Sequence, residues 1–301
     1  MVKGGKGIDI KEMKYQNFPF VTTVFLYLTY LYYYLMDFIS GFYLINVLFF
    51  MGIVFIIFLI LIRKTSLSKR PFIVSILLSF LLFFYETPLF ETYDRYNVYG
   101  YMEPEELVQG SGIFLLSVKI DNIMIDASER ALRDELVNNR VQFYTIDPIT
   151  NAAVYVSKNE AWLNLIGLRK EEFTRMKDNV NAYLNPSNEA VNEFFTRQHS
   201  VGNSAGLALV LSSLADNNEF QNNKQIGVTG AISRSGKVQE VGLIEEKVKI
   251  SSESGLRYMI VPMVNLSQAM KVKKSIHSSI EIMGVDTVDE AVEYIEELNG
   301  N

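Results

Sequence analysis

The sequence predicts a mixed α/β (α+β) domain preceded by an N-terminal transmembrane helical anchor, and three observations predict it. Of the 301 residues, 49% are apolar, yet nearly all of the excess lies before residue 91. Two long runs in that region, Phe18 to Met36 and Phe38 to Ile62, hold no charged side chain. Beyond Met102 the apolar positions instead recur at helical and strand spacings in turn, the pattern of a folded domain with a core.

The second charge-free run exceeds the roughly 20 residues that cross a bilayer. The first is too long and too rich in Tyr for a signal peptide, lacks a small-residue cleavage site and is followed at once by another span. A third run, Pro71 to Tyr85, is interrupted by Glu86, although Thr87 to Phe90 extends it towards an interface. It reads as a third span or as a re-entrant segment. Lys3, Lys6, Lys11 and Lys14 precede the first run, the Asp37 link has no basic residue, and Arg63, Lys64, Lys69 and Arg70 precede the third. That alternation places the N-terminal segment in the cytoplasm. With three spans the expectation is a multi-pass protein of the cell membrane whose folded domain is extracytoplasmic. The acidic stretch Glu86, Glu91, Asp94, Glu103, Glu105 and Glu106 suits that side, and a re-entrant third run reverses it. The expected organisation is a cytoplasmic segment at 1–17, an anchor of two to three transmembrane helices in the lipid bilayer at 18–90, a connector at 91–101 and the folded domain at 102–301.

Within that domain, Ile113 to Ile120 reads as a buried strand and Ser128 to Val137 as a helix with Ala131, Leu132 and Leu136 on one face. The next stretch suggests a strand at Val154 to Val156, a helix around Ala161 to Ile166 and a loop at Asn185 to Asn188. Ala205 to Leu214 is a strongly apolar helix, Ile226 to Ile232 a strand, and Ser235-Gly236 a turn. A helix from Gly242 to Ser254 ends at Gly255, which suits a left-handed cap. Strands at Tyr258 to Val261 and Ile280 to Met283 and a helix within Val285 to Leu298 close the chain.

Composition narrows the chemistry. The absence of cysteine excludes disulfides, thiol nucleophiles and cysteine-ligated metal. A net charge of −6, with basic and acidic residues interspersed, offers no face for nucleic acid. Two distant histidines make no metal-ligand pair, and no cofactor motif is present. In particular, no Gly-x-x-x-x-Gly-Lys-Ser/Thr phosphate loop occurs in the sequence.

Two features carry chemistry. Gly202-Asn203-Ser204-Ala205-Gly206 puts a serine at the mouth of an apolar helix, among residues small enough for close backbone approach. Free amides there can serve a developing oxyanion; a helix-capping serine reads equally well. Leu243, Lys247 and Ile250 fall at i, i+4 and i+7, so Lys247 points inward, where burial lowers the pKa of an amine towards that of a general base. The bland alternative is a lysine that snorkels to water or pairs with Glu246 or Glu253.

Here the residues resemble a known family. Gly202 to Gly206 looks like the nucleophile motif of Lon proteases, usually Gly-Pro-Ser-Ala-Gly. Val228-Thr229-Gly230-Ala231-Ile232 followed by Gly236-Lys237-Val238 resembles the family's Met-Thr-Gly-Glu-Ile and Gly-Arg-Val. Val241 to Lys247 resembles its Ile-Gly-Gly-Leu-Lys-Glu-Lys, Gly255 to Pro262 its Gly-Ile-Lys-x-Val-x-Ile-Pro, and Val285 to Ala291 its closing segment. The resemblance implies Ser204 as nucleophile, Lys247 as general base and Thr229 as the hydroxyl that holds the amine, with Asn203 and Ala205 shaping the turn. On its own Thr229 reads as a β-branched strand residue. Asn203 stands where the family has proline and Ala231 where many members have glutamate. Without a phosphate loop, the chain is similar to ATP-independent, membrane-tethered Lon-like proteases, which implies peptide or unfolded-protein substrates and a homo-oligomer, a hexamer by resemblance.

Rival readings are a catalytically inactive Lon-fold membrane scaffold or protein-binding module, and a Ser-His-Asp hydrolase drawing on His199 with Asp147 or Asp178. A transport role lacks charged residues inside the first two runs.

Overall fold

A stretch without polar side chains must still satisfy its own backbone amides and carbonyls, and a helix does so within the segment. The structure, a computed structural model, describes residues 18–65, 68–90, 94–168, 171–184, 189–196 and 202–300. It begins with α1 (Phe18–Leu35), α2 (Gly41–Leu61) and α3 (Arg70–Glu86). Counted with the short turns that prolong them, the helices Phe18–Leu35, Gly41–Lys64 and Arg70–Leu89 have 18, 24 and 20 residues, long and apolar enough to cross a membrane.

There follow β1 (Asp94–Gly100), β2 (Glu105–Glu106), β3 (Ile113–Leu115), β4 (Lys119–Ile125), α4 (Glu129–Asn138), β5 (Thr145–Pro148) and α5 (Asn151–Leu165). The chain continues with α6 (Glu172–Leu184), α7 (Glu189–Phe194), α8 (Gly206–Asp216), β6 (Ile226–Val228), β7 (Ala231–Ile232) and β8 (Val238–Gln239). It closes with α9 (Ile244–Glu253), β9 (Tyr258–Pro262), α10 (Met263–Ser275), β10 (Glu281–Val285) and α11 (Val288–Asn299).

Two compact units result. The first comprises Met1–Tyr96, Met124–Glu129 and Pro148–Leu165, and the second Asn97–Ile123, Arg130–Asp147 and Ile166–Asn301. In the first, α1, α2 and α3 pack around Leu44, Leu48, Met51 and Phe55, and α5 joins them through Val154 and Tyr155. Glu86, read as interrupting the third run, is fully buried, paired with Lys158 of α5 and accepting a 2.8 Å bond from Tyr27 Oη. With its charge matched in this way, the carboxylate is tolerated at a buried position at the end of the helix.

The second unit is built on a five-stranded sheet in the order β10-β9-β6-β3-β2, parallel except for β2 against β3. Its parallel strands are covered on both faces, as such sheets require. Ile113, Val228 and Ile260 join the core with α8, α6 and α11, whereas Met259 and Val261 join α9 and α10 on the opposite face. Helix α8, buried from Gly206 to Leu214, is the centre of the first layer. Gly112 is needed at the head of β3: its φ is +67°, and a Cβ there would meet the Lys224 carbonyl oxygen. Strands β4, β1 and β5 form a smaller sheet in that order, and β7 pairs with β8 as an antiparallel ribbon.

Several elements differ from their sequence expectation. The run Ile113 to Ile120 is two strands in different sheets, β3 ending at Leu115 and β4 beginning at Lys119. Val154 to Val156 is helical, its β-branched residues outvoted by the packing of Tyr155 and Lys158 on the apolar bundle. The strand foreseen from Ile226 to Ile232 is broken at Thr229-Gly230. The loop foreseen at Asn185 to Asn188 lies outside the described residues.

Candidate active site

The site assembles at the C-terminal end of β6, where open α/β sheets leave a crevice between the helices of their two faces. Ser204 stands in the turn that enters α8 on one face, Lys247 lies on α9 on the other, and Thr229 directly follows β6 between them.

The turn at Ser204 is pinned by backbone bonds to Gly230. The Gly230 amide donates to the Ser204 carbonyl at 2.9 Å, and the Leu207 amide donates to the Gly230 carbonyl at 2.9 Å. A side chain at Gly206 would crowd Ile232, and one at Gly230 would crowd Leu207, so the two segments approach this closely because both positions lack a Cβ. Gly202 adopts φ +87° ahead of the turn, and the Asn203 carbonyl accepts the Gly206 amide at 3.3 Å. Asn203 thus takes part in the turn through its backbone.

The capping reading of Ser204 does not hold: Ala205 is the N-cap residue of α8, and no side chain caps the helix. The Ser204 hydroxyl is half-buried and is not spent on the helix end. The Ser204 and Ala205 amides make no backbone hydrogen bond among the described residues. Among the described residues they are the donors of this turn without a backbone acceptor, whereas the Leu207 amide is already used.

Lys247 is 3% exposed. Burial pulls its amine down to about 8, against the opposing influence of the neighbouring Glu246 carboxylate. Glu246 is itself held by Thr145, whose hydroxyl donates to Oε1 at 3.1 Å. Lys247 Nζ donates to Thr229 Oγ1 at 3.0 Å, and that hydroxyl donates to the Ser204 carbonyl at 3.4 Å. Thr229 is therefore the joint between the two helices, buried and held through its amide to the Ile260 carbonyl at 3.1 Å. Among the described residues no hydrogen bond joins Lys247 Nζ to Ser204 Oγ.

Leu243 is not on the lysine's helical face as its spacing suggested. It precedes α9 with φ 58°, ψ 36°, a left-handed conformation that side chains resist. Ile244, Val248 and Ile250 supply the buried surface instead. The left-handed backbone explains why a glycine suits this position in the motif that Val241 to Lys247 resembles. The sequence offered no other signal for it, since a leucine reads as helix. Ala231 is buried in β7, so no carboxylate stands there.

Of the rival triad, His199 lies outside the described residues. Asp147 is exposed on β5, Asp178 lies on α6, and His277 is exposed at the end of α10.

Comparison with known proteins agrees with this geometry. The family model of the Lon protease (S16) C-terminal proteolytic domain matches residues 199–297. Similar proteins include the Lon protease of Neorickettsia sennetsu, 29% identical over 93 residues, which are 31% of this chain and 11% of that protein. The peroxisomal Lon protease homolog 2 of Caenorhabditis briggsae is 33% identical over 88 residues, 29% of this chain and 11% of its own length. The archaeal Lon protease of Methanothermobacter thermautotrophicus is 26% identical over 93 residues, 31% and 14%. The chain thus covers only a small fraction of the length of these relatives, and the stretch matched by the family model contains Ser204, Thr229 and Lys247. Residues 199–297 are thus similar to the C-terminal proteolytic domain of Lon proteases.

Proposed function

We propose that this chain is a membrane-anchored serine endopeptidase that hydrolyses peptides or unfolded polypeptide without ATP, with Ser204 as nucleophile and Lys247 as general base. One observation carries the reading: a buried amine with a pKa near 8, held by Thr229 beside the turn that bears Ser204.

The chemistry follows from that placement. Ser204 Oγ attacks the scissile carbonyl carbon while its proton passes to the neutral Lys247 amine. The tetrahedral oxyanion faces the free amides of the Ser204 turn. Lys247 then returns its proton to the departing amine, and the C–N bond breaks to leave an ester on Ser204. Water attacks that ester, gives its proton to Lys247, and Ser204 leaves with a proton restored from the lysine. Thr229 holds the amine throughout, so little reorganisation is needed.

The base works only when neutral. The kcat/KM for an unfolded substrate is therefore expected to rise with pH, reach half its plateau near pH 8, and fall about tenfold per pH unit well below that point. A fluorophosphonate should label Ser204, located by mass spectrometry, with the same pH dependence. A label that never lands on Ser204, or a rate indifferent to pH, returns the domain to the scaffold reading.

The anchor reading is supported by the three apolar helices and by Arg63, Lys64, Lys69 and Arg70, which cluster around the link between α2 and α3. With that link in the cytoplasm, residues beyond α3 lie outside. Protease added to intact cells should digest them without lysis, and digestion only after lysis reverses the orientation.

A further inference from the structure

Helix α5 departs from the behaviour of a surface helix in a soluble domain. Ala153, Ser157, Glu160, Ala161 and Asn164 occupy one arc of its circumference. The other carries Tyr155, Val156, Trp162, Leu163 and Leu165, together with Asn151, whose side-chain amide donates to the Tyr34 and Ile39 carbonyls, and two further polar residues, Lys158 and Asn159. Both of those are bound to the end of α3. Lys158 pairs with Glu86, and its ammonium also lies over the Tyr85 and Tyr155 rings at 3.9 and 4.4 Å from their centroids. The Asn159 carbonyl oxygen accepts the Tyr85 hydroxyl at 2.7 Å. The Lys158 ammonium and the Asn159 side-chain oxygen are thus engaged by the helix bundle itself, and the large side chains left exposed on this arc are apolar: Val156 is 55% exposed, Trp162 39%, Leu163 37% and Leu165 76%.

The uncovered side chains continue a surface already present on the bundle. Phe84, next to the Tyr85 that stacks on Trp162, is 68% exposed, and Leu81 and Leu77 above it on α3 are each 66% exposed. On the anchor reading that α3 surface faces acyl chains, and α5 adjoins it through Tyr85. Water is a poor neighbour for such an arc, whereas tryptophan and tyrosine favour the headgroup level, with apolar bodies towards the acyl chains.

We propose that Asn151–Leu165 is an interfacial membrane helix, lying at the headgroup and acyl-chain boundary with Val156, Trp162, Leu163 and Leu165 against lipid. The inference rests on the three preceding helices spanning the bilayer. It gives the chain a second membrane attachment far along the sequence from the first. The Glu86–Lys158 pair acts as the fastener that lets a lysine and a carboxylate sit at that depth without an unmatched charge.

Trp162 is the only tryptophan in the chain, so its emission reports on this helix alone. The full chain is reconstituted in phosphatidylcholine vesicles with unmodified or acyl-brominated lipid, and flotation shows first whether it is membrane-bound. The expected result is a blue-shifted Trp162 emission that loses most of its intensity in brominated vesicles and is shielded from aqueous iodide. Emission that ignores bromine and is quenched by iodide in floating protein overturns this inference and leaves the anchor standing. Protein that does not float overturns both. In a Trp162→Phe background, Leu163→Trp should be quenched by brominated lipid and Ser157→Trp by iodide. Equal bromine quenching at the two positions contradicts a one-sided contact.

Discussion

Ser204→Ala is expected to lower hydrolysis of unfolded casein by about a thousandfold or more, the scale on which removal of a nucleophile acts in serine hydrolases. The same variant should keep its stability within about 0.5 kcal/mol. Ser204 Oγ caps no helix, and the turn is held by the Ser204 carbonyl and the Gly230 backbone, which alanine preserves. Activity and melting temperature measured on the same preparation separate the two effects. Equal products from wild type and variant would remove Ser204 from the reaction, and a matching loss of structure would make it a folding residue.

Lys247→Met is expected to abolish hydrolysis as well and, unlike Ser204→Ala, to stabilise the fold. The wild-type amine is held near 8 in the folded chain, against about 10.4 when unfolded. Below pH 8 it is charged in both states, and folding bears the full cost of burying that charge, about 3 kcal/mol as an order of magnitude. Between pH 8 and about 10.4 the native amine is neutral while the unfolded one keeps its proton. The unfolded state then binds more protons, and wild-type stability rises with pH. Above that window the penalty is gone. Methionine fills similar volume without charge, and Thr229 Oγ1 retains the Ser204 carbonyl as acceptor. The gain in melting temperature should be largest at neutral pH and shrink through that window, as thermal denaturation across pH would read. A variant less stable than wild type at neutral pH would place Lys247 among structural residues, not among groups kept at a cost for function.

The parts of the fold set by repeated apolar spacing were legible in the sequence. Helix α8 could be read because nearly every residue from Gly206 to Leu214 is apolar or small, and α11 because its apolar stripe recurs at helical intervals. What depends on partners distant in sequence was not. The burial of Glu86 is invisible until Lys158 is known to meet it, and Val154 and Val156 read as strand until the bundle supplies a surface for the opposite choice. At the site, spacing correctly turned Lys247 inward but misplaced Leu243, because backbone handedness leaves no trace in hydrophobic periodicity. The role of Thr229 as a joint came from motif resemblance, and no local rule separates it from any other β-branched strand residue.

The meeting of two helices from opposite sides of one sheet has a consequence for biosynthesis. Ser204 is translated well before Lys247, and the strand that both flank must already be seated against Ile260 before Thr229 can hold the amine. A chain still emerging, or one cut short, carries an ordinary alcohol and an ordinary ammonium ion. On the proposed function, hydrolytic competence is then a property of the finished tertiary arrangement, and the nascent polypeptide is harmless to its surroundings until the last parallel strands close.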